Sequence, residues 1–578
     1  MSAEGTVSDA AVRGATDASG SRDAELLDAA RAWLADDPDP DTRAELEALI
    51  AGAAAGDDAA RAGIADRFGS RLAFGTAGLR GALGAGPNRM NRVLVTQAAA
   101  GFAAYLREQN PERTPTVVIG YDGRRGSARF ALDSAEIFAG AGLRAILLPR
   151  LLPTPVLAFA VRHLGADAGV MVTASHNPPD DNGYKVYLGG ADGGSQIVAP
   201  ADAEIAAHIE QIADTERVSV LPRSDAYETA GDEVVEAYVA ATAGVGAAPL
   251  GSAGMTWVYT AMHGVGWETF ARVLTAAGYA LPITVDAQLQ PDGAFPTVAF
   301  PNPEEPGALD LAFARAREVG AEFIIAQDPD ADRLGVAIPD AGAQGGWRRL
   351  TGNEVGLLLG WRAARAAGGT GVLACSLVSS PGLGAIAERY GLGFTETLTG
   401  FKWISRAPGL VFGFEEALGY LVNPDTVRDK DGISASIAFL GLVAEARGRG
   451  VTVAALLDEF RAEFGAFLSD QVSVRVTDLA LIGRVMSSLR ADAPTSFGDT
   501  AVSRTDDLAG GSADLPPSDV LRYRLADGSR VIVRPSGTEP KLKVYLDVRA
   551  DDVTEASTRL RTLRDAVEQL IADRSERS

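Results

Sequence analysis

Three α/β units in tandem with mixed sheets, followed by one α+β unit, are the fold class that this 578-residue sequence predicts. Three observations carry the prediction. At about 100–200 residues per domain, the chain is too long for one hydrophobic core. Strand-like apolar runs alternating with helix-patterned stretches begin near Thr116, again near Thr256 and again near Val372, as in sheets layered with helices. Beyond about residue 455 the pattern changes to period-two alternation around a hairpin signal, the mark of an antiparallel sheet.

The formal charge of −23 argues against a nucleic-acid or anionic-membrane partner, for which a basic surface is wanted. The single cysteine, Cys375, lies in an apolar run and reads as a core thiol. One cysteine permits neither an intramolecular disulfide nor a cysteine-based zinc site. No basic segment leading into an apolar one opens the chain, and no apolar run reaches about 18 residues, so a cytoplasmic protein is expected, as monomer or homodimer.

In chain order, residues 1–22 read as a disordered tail, rich in small and polar residues without apolar periodicity. A helical preface follows over 23–68. Leu26, Leu27, Ala30, Trp33 and Leu34 share one helix face, and a second helix is predicted from Thr42, with the Thr42 hydroxyl as cap and Glu45 returning the bond. The α/β units are placed over 69–225, 226–340 and 341–455, and the α+β unit over 456–578. In the last, Val472, Val474 and Val476 alternate, Asp527-Gly528 marks the hairpin, and Leu560, Leu563, Val567, Leu570 and Ile571 give a closing amphipathic helix.

Each unit contributes a polar loop. In the first, glycines from Phe74 onward let the backbone approach a ligand, and Arg80 brings a fixed cationic fork suited to phosphate. Ser175 follows an apolar strand and precedes Pro178, Pro179 and Asn182-Gly183, which places it in a loop at the strand's carboxyl end, a candidate nucleophile. It does not fit a Ser-His-Asp hydrolase: Thr173 and Asn177 stand where elbow glycines would be, and its neighbour His176 should point to the opposite side of an extended segment.

In the second unit, Asp328, Asp330 and Asp332 put three hard oxygen donors after an apolar strand, which suits Mg²⁺ with a further ligand from elsewhere. An EF-hand is excluded, because Arg333 holds the sixth position and Pro339 the twelfth. The third unit offers Gly400, Phe401 and Lys402, and then Glu415 and Glu416 at a strand end, where carboxylates would accept bonds from sugar hydroxyls or form a surface turn. Lys430 could serve phosphate or proton transfer. In the fourth, Arg534, the hydroxyls of Ser536 and Thr538, the amides around Gly537, and Lys541 assemble an anion cradle.

Taken in order, Thr-Ala-Ser-His-Asn-Pro at Ser175, the three-aspartate loop, Gly-Phe-Glu-Glu at Glu415 and Arg-Pro-Ser-Gly-Thr-Glu-Pro at Arg534 resemble the α-D-phosphohexomutase superfamily from Phe74 to Val548. The Phe-Gly-Thr-Ala-Gly-Leu-Arg-Gly and Gly-Phe-Glu-Glu-Ala-Leu-Gly-Tyr forms are most similar to its phosphoglucomutase-2-like branch of glucose, mannose and pentose phosphomutases. The resemblance implies four domains around a central cleft and a phosphoserine at Ser175. It implies Mg²⁺ held by a phosphoryl oxygen and the three aspartates, with Arg333 beside them. The reaction implied is interconversion of hexose 1-phosphate and hexose 6-phosphate, glucose first and mannose second, through a sugar 1,6-bisphosphate that also acts as activator in catalytic amounts. A phosphopentomutase or a sugar-1,6-bisphosphate synthase is the alternative on the same scaffold. Gly400, Phe401, Lys402 and Glu415 would meet the sugar, with Ala417 standing where the family has a serine. Arg534, Ser536, Gly537, Thr538 and Lys541 would hold the phosphate that is not reacting. Arg80, His176, Lys185 and Lys430 remain the candidates for assisting transfer, and the general base stays open among the last three.

Overall fold

The computed structural model describes residues 8–577 except 77, 476–478 and 537–540. Four sheets succeed one another along the chain. The first runs Leu79–Ala82, Asp181–Leu188, Ala168–Val172, Thr116–Tyr121, Arg144–Leu147, Glu228–Thr229, with Ser195–Gln196 paired to Asp181–Leu188. Its centre is parallel and its Asp181–Leu188 edge antiparallel. Strand residues alternate between two cores: Val117 and Ile119 face the helices Arg92–Gln109 and Ser127–Gly140, whereas Val118 faces the helix Thr154–His163. Ala168–Val172 is buried throughout, as a strand covered on both faces must be.

The second sheet runs Trp347–Arg349, Gly335–Pro339, Phe323–Ala326, Trp257–Thr260, Ile283–Thr284, and the third Gly393–Thr397, Val372–Ser376, Leu410–Glu415, Gly419–Leu421. Each has parallel pairs running to one edge and antiparallel pairing toward the other. The helix Gly432–Gly448 is buried on every side from 432 to 444, and the side chain of Asp431 accepts the first amides, from Ile433 and Ser434. An all-round apolar helix belongs inside a core. Here it sits in one apolar cluster continuous through the first three units.

The fourth sheet is wholly antiparallel, in the order Ala466–Arg475, Lys541–Ala550, Arg530–Pro535, Leu521–Leu525, Thr500–Asp507, Ser496–Phe497. Gly528, at φ 84°, turns the predicted hairpin, and the helices Leu479–Ala491 and Val553–Arg577 cover one face. Ile532 and Tyr545, on the other, pack against Leu377 and Val378 of the third unit. No helix among the described residues is long and apolar enough to cross a membrane.

Several expectations are corrected. A helix spans Ser8–Asp36 where a tail was expected through residue 22; the helix continues N-terminally from the face carrying Leu26, Leu27, Ala30, Trp33 and Leu34, into a stretch whose sequence lacks the apolar periodicity on which the reading depended. The second helix begins at Pro40 under an Asp39 cap, while Thr42 donates instead to Asp37 Oδ2 (2.7 Å) and Glu45 binds Arg67 and the amide of Ala85. Aspartate followed by proline at the first helical position makes the better start. The expected boundaries at 225, 340 and 455 each fall too early. Glu228–Thr229 completes the first sheet, Trp347–Arg349 the second, and the helix Val453–Phe464 packs with the third unit's core. Two- and three-residue edge strands leave too little pattern to read. Val476 lies outside the described residues.

Candidate active site

The three chemical loops of the α/β units leave the carboxyl ends of strands with parallel neighbours, where such sheets expose their ligand crevice. Ser175, 2% exposed, stands three residues beyond Val172, with its amide donating to Thr173 Oγ1 (2.8 Å). Its φ of 52° is left-handed, rare for a residue with a Cβ. That turn corrects the expectation that His176 points away: His176 Nδ1 lies 3.2 Å from Ser175 Oγ. The Ser175 hydroxyl donates to Asp328 Oδ2 at 2.9 Å, joining the first unit to the second. Burial, with Arg333 and Arg80 nearby, holds the His176 imidazole well below its usual range and therefore neutral.

Asp328, Asp330 and Asp332 are fully buried, each with a carboxylate oxygen within 4.8 Å of the other two. Lys185 Nζ donates to Asp330 Oδ2 (2.7 Å) and Asp332 Oδ2 (2.8 Å), Lys430 Nζ lies 3.3 Å from Asp332, and Thr154 Oγ1 donates to Asp330 (2.6 Å). Burial and the negative charges of Asp330 and Asp332 push Asp328 well above the ordinary carboxylate range. Burial also opposes ionisation of Asp332, but Lys185, Lys430 and Arg333 outweigh it and hold that carboxyl below the ordinary range. The Oδ1 atoms of Asp330 and Asp332 have no hydrogen-bond partner although buried. Buried carboxylate oxygens without donors, beside a third carboxylate, are a donor set that fits a hard divalent cation.

Arg333 bridges to the third unit. Its amide donates to Asp328 Oδ1 (3.1 Å), its guanidinium to the backbone oxygen of Ala417 (2.9 Å), and its Nε lies 3.9 Å from both Asp328 and Asp332. Ala417 thus joins the cluster through its carbonyl. Arg80, half-buried, donates to Asn177 Oδ1 (3.4 Å) with Asp330 and Asp332 as electrostatic neighbours. Gly400, at φ 110°, donates its amide to Glu415 Oε1 (3.1 Å), and the Phe401 ring lies 5.3 Å from Lys430 Nζ. Lys402, desolvated, is held below the usual lysine range. Glu416 accepts from Ser376 Oγ (3.2 Å) and Ser379 Oγ (3.1 Å), and burial beside Glu415 pushes it up to about 7.

On the fourth unit, Arg534, Ser536 and Lys541 are half-buried where the paired strands Arg530–Pro535 and Lys541–Ala550 meet the loop that joins them, with the Ser536 amide bonded to Lys541 O (2.8 Å). Arg534 reaches the other loops through Tyr545, whose hydroxyl has Glu415, Glu416 and Arg534 as neighbours. Gly537 and Thr538 lie outside the described residues. Residues that the motifs did not suggest also converge here. Thr154 comes from a helix start in the first unit, and Arg124 grips the Ser175 loop. The second was signalled by the charged run Asp122-Gly123-Arg124-Arg125 directly after a buried strand.

Descriptions of four successive domains match this chain in order: phosphoglucomutase/phosphomannomutase alpha/beta/alpha domain I over residues 71–216, domain II over 236–342, domain III over 351–464 and the C-terminal domain over 472–563. The chain belongs to the phosphoglucomutase/phosphomannomutase family. It is therefore a phosphotransferring mutase, with the four-domain phosphohexomutase architecture. A Haemophilus influenzae protein described as a probable phosphomannomutase is 55% identical over 483 residues, covering 83% of this chain and 98% of its own. A mouse phosphopentomutase is 34% identical, covering 91% of each chain. Among solved structures, a phosphoglucomutase/phosphomannomutase family protein from Burkholderia thailandensis superposes with a TM-score of 0.67 at 21% identity, covering 87% of this chain and 98% of that one, which supports the shared fold.

Proposed function

We propose that the protein interconverts hexose 1-phosphates and hexose 6-phosphates, those of glucose and mannose, with Ser175 as the phosphoryl carrier. The observation that carries this reading is the Ser175 hydroxyl 2.9 Å from Asp328, inside a buried three-aspartate cluster flanked by Lys185, Lys430 and Arg333. Asp328, Asp330 and Asp332 would hold Mg²⁺, which when bound neutralises charge on phosphoryl oxygens. The chain's own residues supply the rest. Phosphorylated Ser175 gives its phosphoryl group to the free hydroxyl of a sugar monophosphate: the P–Oγ bond breaks, a P–O bond to the sugar forms, and a 1,6-bisphosphate results. The hydroxyl's proton passes to Ser175 Oγ. His176 is favoured as the relay, because its Nδ1 lies within reach of Oγ, whereas both lysine ammonium groups are directed into aspartates. The bisphosphate reverses in the cleft and its other phosphate returns to Ser175. A trace of bisphosphate from outside would serve as activator by phosphorylating any resting Ser175. Arg534, Ser536 and Lys541 hold whichever phosphate is idle, and Glu415 with the Gly400–Lys402 segment orients the ring. A pentose phosphate is the second reading, favoured by the mouse phosphopentomutase relative.

The test compares isomerisation of glucose, mannose and ribose 1-phosphates side by side, with Mg²⁺ and a trace of the matching bisphosphate. A dominant hexose rate supports the proposal and ranks the two sugars, a dominant ribose rate replaces it with the pentose reading, and silence on all three sinks both.

A further inference from the structure

We infer that Arg124 is the positioning residue that fixes Ser175 for phosphoryl transfer, an inference that rests on Ser175 being the phosphoryl carrier. The Ser175 loop contains Pro178 and Pro179, which have no N–H to donate; the Pro179 carbonyl accepts from Arg125, and those of Ser175, Asn177, Pro178 and Asp181 turn toward the guanidinium of Arg124. Arg124 Nη2 donates to Ser175 O (2.6 Å) and to Asn177 O, and Nη1 to Pro178 O (2.8 Å) and Asp181 O (3.2 Å). One rigid planar fork therefore spans the loop from the nucleophile to the strand that follows. A lysine, with one point of charge on a flexible stem, does not reproduce that span.

The fork is held in turn. The Arg124 side chain is 1% exposed, and its Nε lies 3.7 Å from Asp122 Oδ2, two buried atoms of opposite charge that have no hydrogen-bond partner. Asp122 is anchored through Oδ1 by Ser127 Oγ (2.7 Å) and the Arg124 amide (3.0 Å). From the second unit, Phe295 lays its ring 4.9 Å from the guanidinium carbon, a cation–π contact made from a left-handed backbone at φ 46°. The segments touch closely: a Cβ on Gly293 would meet the Arg125 amide nitrogen at 2.8 Å and Gly123 O at 2.9 Å.

Ser175 occupies a conformation that a residue with a Cβ keeps only where its surroundings impose it. The bond from Arg124 to Ser175 O supplies that constraint on the carbonyl of the reacting residue itself. Because Phe295 belongs to the unit that carries the aspartates, the same guanidinium registers the nucleophile against the metal loop. Arg124 touches neither the Oγ atom nor the aspartate oxygens, so its contribution is to orientation.

The test uses the full chain with Arg124→Lys and Phe295→Leu. Wild-type protein is first treated with sugar 1,6-bisphosphate and its mass measured; a protein that takes no phosphate on Ser175 overturns the carrier reading, and the inference with it. Given a phosphorylated wild type, Arg124→Lys is expected to fold and to lose about 100-fold in kcat, as misorientation of a reacting group does, with KM within about threefold. Single-turnover transfer from prephosphorylated Ser175 should slow by the same factor. Phe295→Leu should slow the same step by about 3- to 10-fold. A loss confined to KM, or Arg124→Lys with kcat within about twofold of wild type, overturns the inference. If Arg124→Lys fails to fold, Phe295→Leu decides, and an unchanged single-turnover rate in that variant overturns it.

Discussion

The serine–aspartate side of the site and the proposed phosphate loop of the fourth unit are built on opposite principles. Ser175 and the three aspartates are at most 2% exposed, come from two sheets, and are bound by side chains of all three α/β units. Arg534, Ser536 and Lys541 sit half-buried on a hairpin of a separate antiparallel sheet, tied back through Tyr545. Charges act strongly on one another where water is excluded and weakly where it is not. On the mechanism proposed above, this would be a division of labour: the atoms that break and make bonds sit where water is excluded, while the group that accepts either end of a turning bisphosphate stays partly open to it.

Breaking the buried side should cost most. Ser175→Ala removes the proposed carrier, and turnover should fall by about 10⁴-fold or more. Calorimetric binding of the sugar phosphate should survive, and mass spectrometry should find no phosphate on the protein. Near-normal turnover would end the carrier reading. Asp330→Asn is the next largest. It removes one charge from the donor set and unbalances Lys185 and Thr154, so direct calorimetric affinity for Mg²⁺ should fall by at least about 10-fold. Unchanged affinity would take Asp330 out of the metal site.

How much of this was legible in the sequence follows the same division. Residues whose chemistry is local, such as Ser175 before two prolines and three aspartates after an apolar strand, stand out in one dimension. So does the third unit's buried strand leading to Glu415. What escaped is what tertiary approach creates. Thr154 bonds Asp330 across 176 residues with no sequence neighbour to announce it, and Arg124 reaches Ser175 across 51, where the charged run after its strand marks a site but not the partner. The left-handed turn at Ser175 was invisible because nothing marks it, glycine being absent, and with it went the Ser175–His176 contact. At the amino end, Asp39-Pro40 won over Thr42 as a helix start because Thr42's hydroxyl was drawn to Asp37.

On the open side effects should be smaller and fall on binding. Arg534→Ala should raise KM for the sugar phosphate by about 10- to 100-fold, the loss of charge-assisted bonds of about 1.5–3 kcal/mol, with kcat changed far less. Steady-state kinetics separate the two, and a fall in kcat with constant KM would place Arg534 among the buried set instead.

The smallest effect sharpens the boundary between the sides. Glu416 lies where the third and fourth units meet: Ser379, which donates to it through its hydroxyl, also accepts a bond from Arg530 of the fourth sheet through its carbonyl. Burial beside Glu415 raises the Glu416 carboxyl from 4.5 to about 7. Between those values the folded chain keeps a proton that the unfolded chain has released. Unfolding free energy must therefore decline as pH rises through that window, by about 1–3 kcal/mol for a half-buried group. Glu416→Gln cannot ionise, so its stability by denaturant titration should match wild type near pH 4 and exceed it near pH 8. Parallel wild-type and variant curves from pH 4 to 8 would show that Glu416 ionises in the folded protein as freely as in water, and the boundary of the water-excluding region would then run between Glu416 and the aspartates.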